Sequence, residues 1–592
     1  MRKSLTFLLL ALASPLAAQT TLIRGAQVFD GKSMLGVRDV LVVNGRIADV
    51  SPKISAPQGA TVVEAAGKTL LPGLIDSHTH VFGDALEQAL VFGVTTELDM
   101  FTDVQLASQL RAEQKKGNVS GRADIFSAGT LVTAPKGHGT EYGMSIPTIT
   151  TPDSAQAFVD ARIAEGSDYI KIVYDDGKAY GTLIPTVSPA TLRAVISAAH
   201  KRGKLAVVHV GQAAFAREAL AAGADGLVHL FTDEEPPADF TSLAVSGKAF
   251  VIPTLTVLHS ITGKPGSGDI VSDTGLMSHL AVSGRSTIGS AFPFPPGARP
   301  REVRFAQSAI RQLVAAGVPI LAGTDAPNPG TAHGIGMHRE LELLVQSGLT
   351  STQALAAATS VPAKAFGLKD RGTIAKGMRA DLLLVTGDPT TNIKATRAID
   401  GVWKGGERVD RAAFAAAVAK AVADANKGRK GPVSNFDDGT TRAEFGTGWS
   451  VTTDKMAGGS SATEMKVVDG GANGTQKSLG VTGTIVGPLP YAWGGVMFMP
   501  GSQPMQAVNL SAAKTIEFWA KGDGKTYRLM LFSQSKGMTP LIKTFVAGSE
   551  WAKIELPFSD FGVDGSDILG IGFTGGPAAG TFSMQIDEVV LR

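Results

Sequence analysis

The chain has 592 residues, well past the roughly 250–300 at which one hydrophobic core stops growing, so a single-domain module is excluded. Charged residues make up 18% and hydrophobic residues 44%, which excludes a disordered chain, and 55 basic against 53 acidic side chains exclude an electrostatic nucleic-acid binder. Cysteine is absent, which rules out disulfides, thiolate zinc sites, thiol nucleophiles and a cysteine-linked lipid, so any metal must be held by His, Asp, Glu or a modified Lys.

Residues 1–18 carry a basic tip at Arg2 and Lys3, an apolar run from Leu5 to Leu12 and small residues at Ala17 and Ala18. They read as a secretory signal peptide, which places the mature chain in the periplasm or outside the cell. The apolar run falls short of the ~20 residues a membrane span needs and no later segment reaches that length, so the mature chain is expected to have no membrane span.

Residues 19–69 are short β-like runs broken by Gly, Asn-Gly and Pro. From residue 70 to 369, strand-like and helix-like segments alternate. Eight of the former are 71–80, 93–100, 123–129, 168–175, 204–210, 224–230, 249–255 and 319–326. Eight βα repeats predict a TIM barrel, the parallel (β/α)8 fold, with its chemistry at the carboxyl ends of the strands. An open doubly wound sheet is disfavoured because no Gly-rich nucleotide turn follows the first strand.

Residues 370–410 return to short strands able to complete a composite β-sandwich layer with residues 19–69. Residues 411–432 comprise an Ala-rich helix and a polar linker. Residues 433–592 alternate with period 2 and contain Trp449, Trp493, Trp519 and Trp551, which predicts a separate all-β jelly roll.

The candidate ligands sit at strand ends. His78 and His80 are two apart on the first strand and therefore share a face. His209 ends the fifth strand, His229 the sixth and Asp325 the eighth. Any one of them could be a hydrogen-bonded core residue, but several unpaired polar groups in one cavity would be costly without a cation. Lys171, between Ile170 and Ile172 on the fourth strand, is an interior lysine with two readings. It is either a neutral amine carrying a carbamate or a salt-bridge partner of Asp175 or Asp176.

These segments, LLPGLIDSHTH, IKIV, VVHV, GLVHL and AGTDAPNPG, resemble the amidohydrolase superfamily, most nearly its imidazolonepropionase-like and dipeptidase-like branch, over about residues 20–410. The resemblance implies a binuclear site. His78, His80 and Asp325 would bind one divalent ion, His209 and His229 a second, and carbamylated Lys171 would bridge them with a hydroxide. Zinc is the expected ion, although N and O ligands also admit manganese, cobalt or iron. The implied reaction is hydrolysis of a C–N amide bond in a peptide-like or N-acyl substrate, with Asp325 as the catalytic proton shuttle. An esterase, lactonase or phosphotriesterase would use the same site. A mononuclear deaminase of the superfamily typically places a Glu soon after the fifth-strand His, where this chain has Gln212.

His138 and Tyr142, in the loop after the third strand, and His333, after Asp325, are candidate substrate contacts. The long segment 256–300, with His259 and His279, reads as a lid. His338 reads as a helix-packing residue and His200 as a solvated helix end. Residues 433–592 resemble galactose-binding-like jelly rolls, including carbohydrate-binding and CIA30-type domains, through NFDDG, YAWGG, EWAKIELPFSDF and IDEVVL. That resemblance implies a cell-wall or other polysaccharide ligand, with Tyr491 and Trp493 as the exposed pair. The alternatives are that Trp519 and Trp551 simply fill the sandwich core, or that the chain is a glycan-binding protein with an inactive barrel.

Overall fold

The computed structural model describes residues 20–592 apart from 118–120, 142–144, 182, 293–300, 458, 488–490, 502–505 and 538. The segment read as a signal peptide and the candidate contact Tyr142 lie outside the described residues. Two compact units are present. One runs to Leu280 and resumes over Thr287–Phe414, and the other combines Ala281–Ser286 with Ala415–Arg592.

In the first unit an eight-stranded sheet joins chain segments far apart in sequence. Lys68–Pro72 pairs with Leu382–Thr386 on one side and Thr20–Phe29 on the other. Met34–Val43 and Arg46–Ser51 form a hairpin whose two-residue turn is Asn44-Gly45, both at positive φ (50° and 77°). That turn matches the right-handed twist of the strands and suits Asn-Gly. Leu22, Ile23, Val40, Leu382, Leu384 and Trp403 are all buried within this layer.

The barrel strands are Leu74–Thr79, Val94–Asp99, Asp124–Ser127, Ile170–Val173, Ala206–His209, Gly226–Val228 and Phe250–Ile252, with an eighth segment at 319–326. Parallel ladders run through the first three and through the fourth to seventh. Parallel bridges Val132↔Ile172, Val251↔Ile320 and Thr79↔Ala326 close the ring. The eighth segment is less regular than its sequence predicts, bonding as isolated bridges at Ile320 and Ala326. It passes so close to the first strand that a Cβ at Gly323 would lie 2.9 Å from the His78 backbone nitrogen, so the position suits glycine.

Along the strands, side chains alternate between two cores. Ile75, Leu98, Tyr169, Val207, Val228, Ile252 and Leu321 fill the barrel floor. Ile125, Ile170, Ile172, Val208, Leu227 and Val251 face the surrounding helices. The helix Pro189–Lys201 shows how sequence sets its ends: Ser188 caps it by accepting from the Thr191 amide, and Pro189 occupies the first turn, where no amide donor is required. The segment expected to be a lid folds in part into short helices, among them Leu255–Ile261, Thr274–Met277 and Val282–Ile288. No helix among the described residues is long and apolar enough to cross a membrane.

The second unit holds two antiparallel sheets. One runs Ala462–Asp469, Lys477–Ile485, Gly580–Leu591, Thr515–Gly522, Ala552–Pro557, with Gly431–Ser434 added against Gly580–Leu591. The other runs Gly448–Thr453, Gly494–Met499, Ile568–Gly575, Thr526–Ser533, Leu541–Val546. Gly431 and Pro432, expected in a linker, already belong to the first of these strands. The core tryptophan is Trp449, whose ring lies 5.6–5.7 Å from those of Phe436, Phe498 and Phe573 and whose indole N–H donates to Ser434 Oγ. The alternative that Trp519 and Trp551 fill the core is corrected: both are half-buried. Trp519 shares a sheet face with Glu517 and Lys521, opposite the core residues Ile516, Phe518 and Ala520, and Trp551 receives the Lys521 ammonium 4.8 Å from its ring centre.

Candidate metal centre

At the carboxyl rim of the barrel, five imidazoles form a continuous series. Ring centres are separated by 5.3 Å for His80 and His78, 4.8 Å for His78 and His229, 4.6 Å for His229 and His209, and 5.0 Å for His209 and His138. Asp325 lies against this series. Its Oδ1 is 3.2 Å from His78 Nε2 and 3.1 Å from His80 Nε2, and its Oδ2 is 3.9 Å from His229 Nε2. One carboxylate thus faces three imidazoles carried by the first and sixth strands.

Local backbone structure sets those directions. The eighth segment is bonded to the first strand by Asp325 N to His78 O and His80 N to Ala326 O, both 2.8 Å. His229 and Asp325 have φ of 68° and 59°, a region that residues with a Cβ rarely occupy and that recurs at functional sites. Each turns the chain at the end of its strand so that the side chain points along the rim.

Outer contacts fix the rings. The Phe101 carbonyl lies 3.1 Å from His80 Nδ1 and can only accept, so Nδ1 carries the proton and Nε2 offers its lone pair to the centre. His229 Nδ1 meets Thr254 Oγ1 at 2.7 Å. Asp76 binds the backbones on both sides of the centre, accepting from His78 N at 3.2 Å, Thr324 N at 3.0 Å and the Thr324 hydroxyl at 2.7 Å. Burial and neighbouring Glu97 push its pKa up to about 8. Sequence reading missed Thr254, Asp76 and Thr324 as supports. Their only signal is position, two residues before His78 for Asp76 and one before Asp325 for Thr324.

The electrostatics favour neutral His78, His209 and His229 and an ionised Asp325. Burial, then the Lys171 charge, takes His78 down to about 3. Burial takes His209 down to about 4 and lowers His229 well below the ordinary imidazole value. Burial alone would raise Asp325, but contacts from His78, His80 and His229 outweigh it and hold the carboxyl well below its usual range.

Lys171 stands on the fourth strand beside Val207 of the fifth and is buried. Burial brings its pKa down to about 7 against the pull of Asp325 and Asp99. The alternative salt bridge to Asp175 or Asp176 is not formed. Asp175 Oδ2 lies 3.4 Å from His209 Nε2, and Asp176 Oδ1 accepts from Gln212 at 2.6 Å.

The side chains fit a divalent cation. The Nδ1 and Nε2 of His78, Oδ1 of Asp325 and Oδ2 of Asp175 are buried without a hydrogen-bond partner. Donor atoms of His78, His229 and Asp325 all lie within 4.8 Å of one another. An imidazole lone pair and a carboxylate oxygen facing each other are both acceptors, an arrangement that a cation resolves.

The remaining predicted residues fall in different surroundings. His138 lies beside His209 at the rim, with Nδ1 2.6 Å from Glu141 Oε1. His333 is buried, with Nδ1 2.9 Å from Glu97 Oε1 and Nε2 unpartnered. His338 is buried and packs on Phe92, whereas His200 is exposed and pairs with Asp225. His279, just past the short helix Thr274–Met277, contacts Gly275 and Ser278, and His259 Nε2 is buried without a partner.

Residues 69–409 match the Amidohydrolase family, and residues 436–565 match Complex I intermediate-associated protein 30 (CIA30). The chain is 26% identical over 377 residues to an imidazolonepropionase of Deinococcus radiodurans, covering 60% of this chain and 87% of the relative. It is 25% identical over 426 residues to a dihydroorotase of Pelobacter propionicus, covering 65% and 95%. Among solved structures, a Xaa-Pro dipeptidase with bound methionine in its active site is similar in fold, with a TM-score of 0.54 and 24% identity over 66% of this chain and 99% of that one. Phenylurea hydrolase B gives 0.53 and 21% over 67% and 98%. Together the family and the relatives support a hydrolase acting on C–N bonds.

Proposed function

The chain belongs to the Amidohydrolase family, and from that premise we propose that it is an exported, metal-dependent hydrolase cleaving the amide bond of a peptide-like or N-acyl substrate. The observation that carries this reading is the convergence of His78, His80 and His229 on the Asp325 carboxylate, with His78 and Asp325 donor atoms buried and unpaired.

His78, His80 and Asp325 would hold one divalent cation, and His209 with His229 a second, with Lys171 between them as its carbamate. Zinc suits this nitrogen and oxygen donor set. Such cations, when bound, supply Lewis acidity toward the substrate carbonyl and bring the pKa of water toward neutrality.

The chain's own residues supply the rest. Lys171, with its pKa brought down to about 7, has a neutral amine available to react with carbon dioxide near neutral pH. The N–C bond forms as the amine loses a proton, which leaves an anionic carbamate. Asp325 keeps its carboxylate ionised and can accept a proton from attacking water at Oδ1 or Oδ2, then deliver it to the departing nitrogen. Amides need that second transfer because an amide anion leaves poorly. His138 would touch substrate, a role supported by its position beside His209, and export is supported by the character of residues 1–18.

The second unit would tether the enzyme to a cell-wall or other polysaccharide. Tyr491, 53% exposed, supports this, with half-buried Trp493 two residues on.

Metal analysis of the purified chain, combined with parallel assays of N-acyl amino acids, dipeptides, lactones and aryl esters, tests the proposal. Stoichiometric divalent metal with turnover of amides is expected. Turnover of esters or lactones alone would replace the amide reading, and a metal-free chain inert on every substrate would leave only a binding role.

A further inference from the structure

The five-stranded sheet of the second unit buries a cation that, among the described residues, has no acid beside it. Ladder register puts Thr452, Gly495, Thr574, Arg528 and Thr544 in one row across all five strands. The adjacent row, Val496, Phe573 and Leu529, lies in the hydrophobic core, so the Arg528 row faces away from it. Trp493, two residues before Gly495, shares that outward face and donates its indole N–H to Thr452 Oγ1 at 3.1 Å.

Arg528 is only 7% exposed. Its Nη2 donates to the Ala492 carbonyl at 2.7 Å and more weakly to Gly575 at 3.4 Å, while Nε is buried with no partner. Burial, with no neighbouring charge contributing, lowers its pKa. Beside it, Thr574 Oγ1 is likewise buried and unpartnered. Room for the guanidinium is made by Gly576, where a Cβ would come 2.6 Å from Nη2. Thr544, the next residue in the row, is exposed, and Tyr491, 53% exposed, lies next to Ala492, the carbonyl bonded to Arg528.

A permanently charged guanidinium withdrawn from water without a counter-charge is costly. Two carbonyl contacts could be made as well by a neutral donor. A planar fork with an unpaired N–H suits a carboxylate, and a neighbouring indole suits the apolar face of a sugar ring.

We propose that this face binds a carboxylated saccharide, with its acid group paired to Arg528 and its ring against Trp493. The proposal rests on the polysaccharide tether put forward above and narrows it to an acidic, uronate-type polymer.

Full-length protein is to be titrated with polygalacturonate, a neutral galactan and dextran sulfate at fixed salt. Binding to polygalacturonate at least tenfold tighter than to either other polymer is expected, falling at least tenfold in Arg528→Gln and in Trp493→Ala. Because Arg528→Gln also removes the Ala492 contact, Thr544→Glu provides a second probe. It offers a competing carboxylate from an exposed neighbour and is expected to weaken polygalacturonate binding to a similar extent. Normal binding by both Arg528→Gln and Thr544→Glu would overturn the site while leaving the tether intact. Equal or tighter binding of galactan would overturn the acid specificity, and a preference for dextran sulfate would replace carboxylate with sulfate. No binding of any polymer by the unmodified protein would remove the tether and the site together.

Discussion

His229 and Thr254 meet through a 2.7 Å contact between Nδ1 and Oγ1, and both stand in left-handed backbone conformation, with φ of 68° and 50°. The sixth and seventh strands end at Val228 and Ile252, and His229 N donates to Ile252 O at 2.9 Å. The hydroxyl therefore orients the imidazole from a backbone that the ladder already holds. Thr254→Val keeps the shape and removes the orienting group. Loss of such an outer partner typically weakens metal affinity ~10–100-fold. Chelator competition followed by elemental analysis should show a drop of that size, and unchanged affinity would show that the hydroxyl does not set the ring.

Much of the barrel is legible because strand-like runs alternate with helical ones, and five of the eight runs carry a candidate ligand near the carboxyl end. His78 and His80 could be placed on one rim from their spacing alone. What could not be read is anything set by close approach or by unusual φ. The close passage of the eighth segment over His78 depends on the missing Cβ of Gly323. The support of His78 by Asp76, and of His229 by Thr254, joins residues whose types are common in any strand. Trp519 and Trp551 show the opposite difficulty. The strand of Trp519 and the one that begins just after Trp551 alternate as expected, but alternation does not say which face is the core, and both rings lie on the side of Lys521, away from it.

Lys171→Ala tests the carbamate. Among the described residues the pairing with Asp175 or Asp176 is not made, and burial brings its pKa to about 7 against the pull of Asp325 and Asp99, which makes a neutral amine accessible near neutral pH. The variant is expected to lose metal and turnover together, with part of both restored by a short carboxylic acid such as acetate or propionate. Full metal content and full activity without added acid would rule out a bridging carbamate.

Asp325→Asn keeps size and polarity but cannot take up a proton. General acid–base transfer is worth ~100–10,000-fold in rate, so turnover on an amide should fall by at least that range. An activated ester, whose leaving group needs less protonation, should lose less. Near-normal amide turnover would remove the proton shuttle from Asp325.

Gly323→Ala should act on the centre without replacing a ligand, by pressing on His78. The added Cβ would lie 2.5 Å from Ile252 Cγ2, 2.9 Å from the His78 nitrogen and 3.1 Å from His78 Cβ, and the first two cannot both retreat. Overpacking of this kind costs about 1–3 kcal/mol. The eighth segment is expected to move off the first strand, with lower metal content and a lower Tm. A variant that retains both would show that the two strands tolerate a wider spacing.

Asp124, at the start of the third strand, is one acid of an ionic network, paired with Arg371 at 2.6 Å, Arg379 at 2.7 Å and Lys404 at 3.0 Å, and it ties the barrel to the composite layer. Burial would raise its pKa, but the three cations outweigh this and hold it at about 2, against 3.8 for an ordinary Asp. A carboxyl with a depressed folded-state pKa contributes stability that is fully present above the unfolded value and lost as pH falls through the folded one. Asp124→Asn takes one acid from buried Arg371 and Lys404 and half-buried Arg379, which keep Asp370 and Asp381, and should cost up to about 3–5 kcal/mol at neutral pH. Measured by denaturant unfolding, the gap between the variant and the unmodified chain should narrow as pH falls from about 4 to about 2. A gap that stays constant through that range would mean that the network acts through packing rather than through the charge on Asp124.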